Sequence, residues 1–227
     1  MTASQPRRGK AEKPQKTDTR ALILKAARKV FAEHPYNAAS IRMIGKAAGI
    51  DHPLVSYYFP TKSRLFQEVL KDIAEENYRE TQKSFKGMDK INPEKGFALY
   101  LDHLLAYNRL HPYAFRVLLL NMVQAEHESV IPGYSIIQDI SRRTARIFKT
   151  TVPLNAPESR IERFTTSFNL MIINYLGAQR YYGEILDIDP GSREYEQWVK
   201  ETLIYLFLPH LKALIQGDQE DFSKPTR

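Results

Sequence analysis

Residues 40–62, SIRMIGKAAGIDHPLVSYYFPTK, predict two short helices joined by a tight turn. Ser40 can cap the first helix. Gly49 can end it, because glycine tolerates the left-handed conformation that a helix C-terminus often needs. Asp51 follows as an acceptor that can cap the second helix. About three residues separate the two predicted helices, as in a helix-turn-helix motif. The second helix of such a motif can enter the major groove of DNA.

The second helix of this pair carries most of the candidate DNA-contacting residues. Val55 and Phe59 are four residues apart, so they share one side of the helix and face inward, whereas Pro53, Ser56 and Tyr57 face outward. His52 lies at the open N-terminal end, from which recognition helices present side chains to base edges. Arg42 and Lys62, each near a helix start, suit phosphate contacts. The predicted DNA-binding residues are Ser40, Arg42, His52, Pro53, Ser56, Tyr57 and Lys62.

The stretch around this pair resembles the TetR (tetracycline-repressor-like) family of transcriptional regulators. The matching features are a helix with an apolar stripe at residues 19–34, the start Ser40-Ile41-Arg42, the turn Ala48-Gly49-Ile50, and the closing residues Tyr57, Tyr58, Phe59, Lys62 and Leu65. This pattern is more specific than a bare helix-turn-helix. Pro53 and Ser56 depart from it, since Gly and Tyr are usual at those positions, so we expect operator choice to differ there. The resemblance implies a variable second domain that dimerises and holds a ligand.

The charge of the chain is concentrated at its N-terminal end. Residues 1–62 contain 12 Lys and Arg against four Asp and Glu, whereas the remainder contains 21 against 22. A basic head on a near-neutral body is typical of a polyanion-binding domain. The sequence therefore predicts four parts. These are a disordered basic tail that touches DNA phosphates (1–18), a helix-turn-helix domain (19–64), a helical effector-binding and dimerisation domain (65–217) and a flexible tail (218–227).

Composition and missing motifs argue against several classes of protein. The chain has no cysteine, so it has neither a disulfide nor a thiolate metal site. It has no apolar run of membrane-spanning length and no signal peptide, so we expect a cytoplasmic protein without membrane partners. No complete HExxH, P-loop or GxSxG motif is present, and we predict no catalytic residue, metal or cofactor. Two alternatives to a transcriptional regulator remain open. One is a basic DNA-coating or architectural protein without ligand control, and the other, the least favoured, is an enzyme.

The body after residue 62 predicts an all-α fold. Prolines and glycines divide it into segments of helical length without strand-like alternation. Pro209 should kink the last helix, because proline lacks the N–H group that a helix interior needs. The predicted helices are 62–86, 93–110, 112–127, 132–150, 157–183 and 192–215.

The helix predicted at 157–183 is apolar around most of its circumference, so more than one neighbour must cover it. Paired with the last helix and with the copies of both in a second chain, it could form a four-helix dimer interface, which the resemblance also implies. Burial within a single chain is the alternative. The predicted interface residues are Phe164, Phe168, Met171, Tyr175, Tyr182, Trp198, Leu203 and Leu206.

The helices between residues 93 and 183 set a few polar side chains among aromatic ones, as ligand pockets in helical bundles do. Alternatively, each of these side chains packs in the hydrophobic core and contacts no ligand. The predicted ligand-binding residues are His103, Tyr107, Phe115, Gln124, Phe148, Asn169 and Ile173. With the resemblance, the sequence predicts a homodimeric repressor that binds a palindromic operator in double-stranded DNA and leaves it when a small molecule binds.

Overall fold

The computed structural model describes residues 16–124 and 130–217, which fold into α-helices without strands. The predicted all-α fold is confirmed. A 3₁₀ turn at Met88–Lys90 joins the fourth and fifth helices. The helices are α1 (Lys16–Glu33), α2 (Ile41–Ala48), α3 (His52–Tyr58), α4 (Lys62–Phe85), α5 (Pro93–Leu110), α6 (Ala114–Met122), α7 (Tyr134–Thr151), α8 (Glu158–Gly177), α9 (Gln179–Leu186) and α10 (Arg193–Gln216).

The first three helices pack with the start of α4 around one small core. Phe31 of α1 meets Phe66 of α4 edge to face, with ring centroids 4.8 Å apart. Ile44, Val55 and Phe59 are buried against them, as their spacing predicts. This core fixes the positions of α2 and α3, so their outward faces form one surface.

Two ion pairs hold α1 and α4 side by side. Arg20 contacts Glu68 at 2.8 Å, and Nη1 and Nη2 of Arg28 donate to the two oxygens of the Glu76 carboxylate. Each pair joins residues 48 positions apart, so the two helices run parallel in a fixed register. Since α4 also extends into the second domain, it links the two parts of the molecule.

The second domain is a helical bundle with an aromatic core. Helix α8 packs against α6, α7 and α10, while α7 lies along α4. The rings of Phe164 and Phe168 each meet Phe207 of α10 edge to face, at 5.6 and 5.2 Å. None of the helices within 16–124 and 130–217 is long and apolar enough to span a membrane.

The helix predicted at 157–183 is in fact two helices, α8 and α9, which meet at Gly177. Nη1 of Arg116 donates to the Gly177 carbonyl oxygen at 3.1 Å, so this oxygen accepts its hydrogen bond from a side chain of α6. A Cβ at Gly177 would lie 2.9 Å from the Phe115 carbonyl oxygen, which shows how closely α6 approaches. Tertiary contacts with α6 therefore break the predicted helix.

The other element boundaries differ by smaller amounts. Residues 16–18, predicted to be tail, belong to α1, and the helix predicted at 112–127 is the shorter α6. Pro209 lies inside α10, which continues to Gln216. Both tails, at residues 1–15 and 218–227, and residues 125–127 of the predicted helix lie outside the described residues.

Candidate DNA-binding and effector sites

Local hydrogen bonds fix the geometry of the helix-turn-helix. The Ser40 hydroxyl accepts from the N–H of Met43 at 3.2 Å, and Gly49 ends α2 with φ of 66°. Both features follow the sequence-based prediction. Gly45 allows the turn to pass close behind α2, since a Cβ there would lie 2.7 Å from the Ile50 carbonyl oxygen. The α2–α3 angle thus depends on two glycines.

Helix α3 begins differently from the prediction. The Asp51 carboxylate makes no capping hydrogen bond, although the Asp51 carbonyl oxygen accepts from Leu54 and Val55. Pro53, in the first turn, has no N–H to satisfy and fixes its own φ. The start of α3 is therefore set by proline geometry rather than by a side-chain cap.

The outward face of this unit is exposed and basic. Arg42, His52, Pro53 and Tyr57 are exposed, with Tyr57 at 67%, whereas Ser40 and Ser56 are half-buried. Two residues on this face were not predicted. These are Lys46, one turn after Arg42, and Leu54, which is 43% exposed. Helical spacing could have found both.

The cations of α2 differ from those of α1 in their partners. Arg20 and Arg28 are held by carboxylates of α4. Arg42 and Lys46 have no ion-pair partner within the described ranges. Their charges are therefore available to phosphates.

Lys62 is engaged within the protein. Its ammonium donates to the carbonyl oxygens of Tyr36 and Ala39 at 2.9 and 3.0 Å, and it lies 4.3 Å from the centre of the Tyr36 ring. Burial lowers the pKa of this ammonium from its ordinary value of 10.5. The structure thus gives Lys62 a positioning role, fastening α4 to the loop before α2. Its predicted phosphate contact stays a prediction.

The second domain encloses a cavity of about 180 Å³ between the ends of α4, α5, α7, α8 and α10. Phe148 and Asn169, both predicted ligand residues, line it. Phe115 and Ile173 instead line a smaller space of about 30 Å³, which shares Tyr100, Thr144 and Asn169 with the cavity, and Ile173 also lines a groove between α7 and α8. The cavity wall also includes residues that the sequence analysis did not select: Phe85, Gly96, Tyr100, Thr144 and Thr165.

Three predicted ligand residues lie elsewhere. His103 is exposed on the outward side of α5, and Gln124 is exposed in the turn after α6 ends at Met122. Tyr107 is buried between His111 and Phe115, and its hydroxyl has no hydrogen-bond partner among the described residues. Burial raises the pKa of this hydroxyl well above its ordinary value. None of the three lines the cavity, and their predicted ligand contacts stay predictions.

The predicted dimer residues divide into two groups. Phe164, Phe168 and Leu203 are already buried by their own chain, and the interface role predicted for them stays a prediction. The others remain partly exposed on one side of α8, α9 and α10. They are Met171, Tyr175, Tyr182, Trp198 and Leu206. Tyr205, which the prediction missed, is 80% exposed beside them.

Residues 23–69 match the family model described as bacterial regulatory proteins, tetR family. This match covers the core of α1, the helix-turn-helix and the first part of α4. The N-terminal domain belongs to the TetR family. The resemblance inferred from the sequence is confirmed.

Solved TetR-family structures share the fold over nearly the whole chain. A regulator from Mesorhizobium loti is 15% identical with a TM-score of 0.61, over 90% of this chain and 98% of that one. HlyIIR, a hemolysin II transcriptional regulator, is 18% identical with a TM-score of 0.56, over 90% and 100%. A regulator from Shewanella sp. PV-4 is 17% identical with a TM-score of 0.57, over 84% and 96%. No curated protein sequence matches the chain.

The TetR-family domain and the TetR-like fold together indicate a DNA-binding regulator of transcription. The helix-turn-helix geometry fits this role, because its exposed face carries Arg42 and Lys46, which form no ion pair with any residue that the structure describes.

Proposed function

We propose that the protein is a homodimeric repressor that binds a palindromic operator and is released when a small molecule occupies the second domain. The observation that carries the DNA-binding part is the outward face of α2 and α3. There Arg42 and Lys46 have no ion-pair partner in the described part of the chain, next to the exposed His52 and Tyr57. Arg42 and Lys46 bind phosphates, and α3 enters the major groove.

Each exposed residue of α3 makes a different contact with the operator. His52 donates to a purine acceptor or a phosphate, and Tyr57 contacts a phosphate or a thymine methyl. Ser56 is half-buried, so its short hydroxyl reaches a base edge only when α3 lies deep in the groove. Pro53 stiffens the first turn and presents an apolar edge. Operator choice therefore depends mainly on His52, Pro53 and Tyr57.

The partly exposed face of α8, α9 and α10 supports dimerisation. Trp198 lies edge to face with Tyr175, at 5.3 Å, and also contacts Tyr182. These rings have one side against their own chain and the other toward solvent. A second copy covering them would remove apolar area from water. Two-fold symmetry would then place the two α3 helices on the two half-sites of a palindrome.

A continuous set of contacts supports coupling between the cavity and the DNA-binding helices. Thr144 lines the cavity, and its hydroxyl donates to the side-chain oxygen of Asn77 of α4 at 3.2 Å. The 24 residues of α4 span about 36 Å and end in the helix-turn-helix domain. A ligand that moves α7 would therefore move α4 and change the spacing of the two α3 helices. A ligand that binds this altered state more tightly shifts the protein off the operator.

Helix α6 makes a second connection. Arg116 donates from Nε to the Ala32 carbonyl oxygen of α1 at 3.3 Å and from Nη1 to the Gly177 carbonyl oxygen of α8 at 3.1 Å. The Asn121 side chain accepts from the backbone N–H of Tyr36 at 2.9 Å. A displacement of α8 is thereby passed to the C-terminal end of α1.

Selection of bound fragments from random duplex DNA by the purified protein tests the proposal. We expect a palindromic site to emerge. We also expect Arg42→Ala with Lys46→Ala to weaken binding to it at least tenfold, since two phosphate contacts are lost. Arg79→Ala, at an exposed position of α4 in the second domain, is the matched control and should leave affinity unchanged. Equal binding to random DNA would instead favour a DNA-coating protein.

A further inference from the structure

The cavity wall is almost wholly apolar. Five phenylalanine rings line it, and none of the described residues that line it is charged. Polar atoms come from a few side chains, among them Thr144, Thr165 and Asn169. An ionised group deep in such a site would lose its hydration without a compensating charge. The cavity therefore suits an uncharged, apolar part of a molecule.

Gly96 shows that the cavity is open space rather than loose packing. It is buried in the first turns of α5 and lines the cavity, yet a Cβ added to it would meet no atom within 4 Å. A buried glycine whose missing side chain would meet no atom leaves room for another molecule. The same position offers a way to fill the cavity without moving the backbone.

A basic groove of about 560 Å³ adjoins the cavity between α7 and α8. The two spaces share Ala145, Thr165 and Asn169 in their walls, so they lie side by side. Together they fall within the roughly 300–1,000 Å³ that ligand sites usually occupy. A molecule in the cavity could therefore extend into the groove past Asn169.

The charge of the groove is positive and only partly neutralised. Lys149 pairs with Glu158, while Arg142 donates only to the amide oxygen of Gln138, at 3.3 Å. Arg146 has no ion-pair partner among the described residues. Among the described residues, Glu162 is the one carboxylate that lines the groove. Two exposed guanidinium groups thus line the groove beside the apolar cavity, and guanidinium groups bind carboxylates and similar anions well.

We infer that the effector is an amphipathic organic anion, with its apolar body in the cavity and its anionic head between Arg142 and Arg146. This inference rests on the proposed function, because it names the chemical class of the molecule that releases the repressor. Asn169, at the junction, donates to the head from its side-chain amide. An uncharged molecule of the same shape would gain the apolar contacts alone.

Isothermal titration calorimetry without DNA tests the ligand class. The probes are decanoate and 2-naphthoate, each below its aggregation concentration, against decanamide and 2-naphthamide as uncharged counterparts. We expect at least one anion to bind, and to bind at least tenfold more tightly than its amide. Arg142→Gln with Arg146→Gln should weaken anion binding at least fivefold and change amide binding less than twofold. Arg163→Gln, an exposed arginine of α8 outside the groove, is the matched control.

Gly96→Leu tests the position of the apolar body. The leucine side chain would occupy the cavity, so anion binding should fall at least tenfold while the melting temperature stays at or above that of the wild type. The inference is overturned if neither anion binds, if anion and amide bind alike, or if Gly96→Leu retains affinity. Addition of the anion to the protein–operator complex separates the two claims. If the anion binds but the protein stays on the operator, the ligand class holds and the release mechanism is contradicted. If the protein binds no specific operator, the repressor proposal is contradicted and the ligand class still holds.

Discussion

Two glycines with opposite surroundings show how single residues set the fold. Gly45 lies where a Cβ would approach the Ile50 carbonyl oxygen to 2.7 Å, whereas Gly96 faces open space. We expect Gly45→Ala to lower the free energy of unfolding by about 1–3 kcal/mol, because the backbone of the turn must shift. Gly96→Ala should raise it by up to about 1 kcal/mol through helix propensity. Urea denaturation measures both, and equal effects would contradict the assigned geometry.

Lys62 separates a positioning role from a DNA-contacting one. Removing its ammonium in Lys62→Met leaves the carbonyl oxygens of Tyr36 and Ala39 without their donor. We expect the free energy of unfolding to fall by roughly 1.5–3 kcal/mol. The salt dependence of operator affinity should keep its slope, because no phosphate contact is lost.

The exposed Lys46 is the matched control for this test. Lys46→Met should leave stability within about 0.5 kcal/mol and reduce the salt slope by about 1. If Lys62→Met instead reduced the slope and spared stability, Lys62 would be a phosphate ligand, as the sequence predicted.

Among the elements, α1 and α4 are joined by ion pairs that the sequence did not reveal. The side chains of Arg28 and Glu76 are 16% and 19% exposed, and His111 also contacts this carboxylate, at 3.2 Å. Breaking a fully buried pair from one side costs about 3–5 kcal/mol. With this residual exposure, we expect Arg28→Ala to cost roughly 2–3 kcal/mol. A double-mutant cycle with Glu76→Ala, followed by urea denaturation, should show coupling, and strict additivity would contradict the pairing.

Local sequence signals predicted the helix-turn-helix well, because its determinants lie within a few residues of one another. The Ser40 cap and the Gly49 terminus are of this kind. The break between α8 and α9 could not be predicted, since it depends on Arg116, which lies 61 residues from Gly177 in sequence. The partners of Lys62 are also non-local, at 26 and 23 residues along the chain. Helical spacing identified apolar faces but could not separate core from interface at Phe164 and Phe168.

The complete repressor must form a dimer through α8, α9 and α10 if its two α3 helices are to read two half-sites. Tyr205 is 80% exposed and lies two turns after Trp198, on the same side of α10. We expect Tyr205→Asp to shift the protein from dimer to monomer in light scattering after size-exclusion chromatography, because a buried unpaired carboxylate is costly. Leu110→Asp is the control, at a site 75% exposed at the end of α5, and should remain dimeric. If Tyr205→Asp stays dimeric like the Leu110→Asp control, this face is not the dimer interface.

The most direct test is the affinity of the wild-type protein for the selected operator at physiological salt, measured by fluorescence anisotropy. The comparison duplexes are one with a single half-site scrambled and one of random sequence. We predict binding to the intact operator at least about 10³-fold tighter than to random DNA. We also predict a large loss of affinity when either half-site is scrambled, since both α3 helices read sequence. Equal affinity for all three duplexes would contradict a dimeric, sequence-specific regulator.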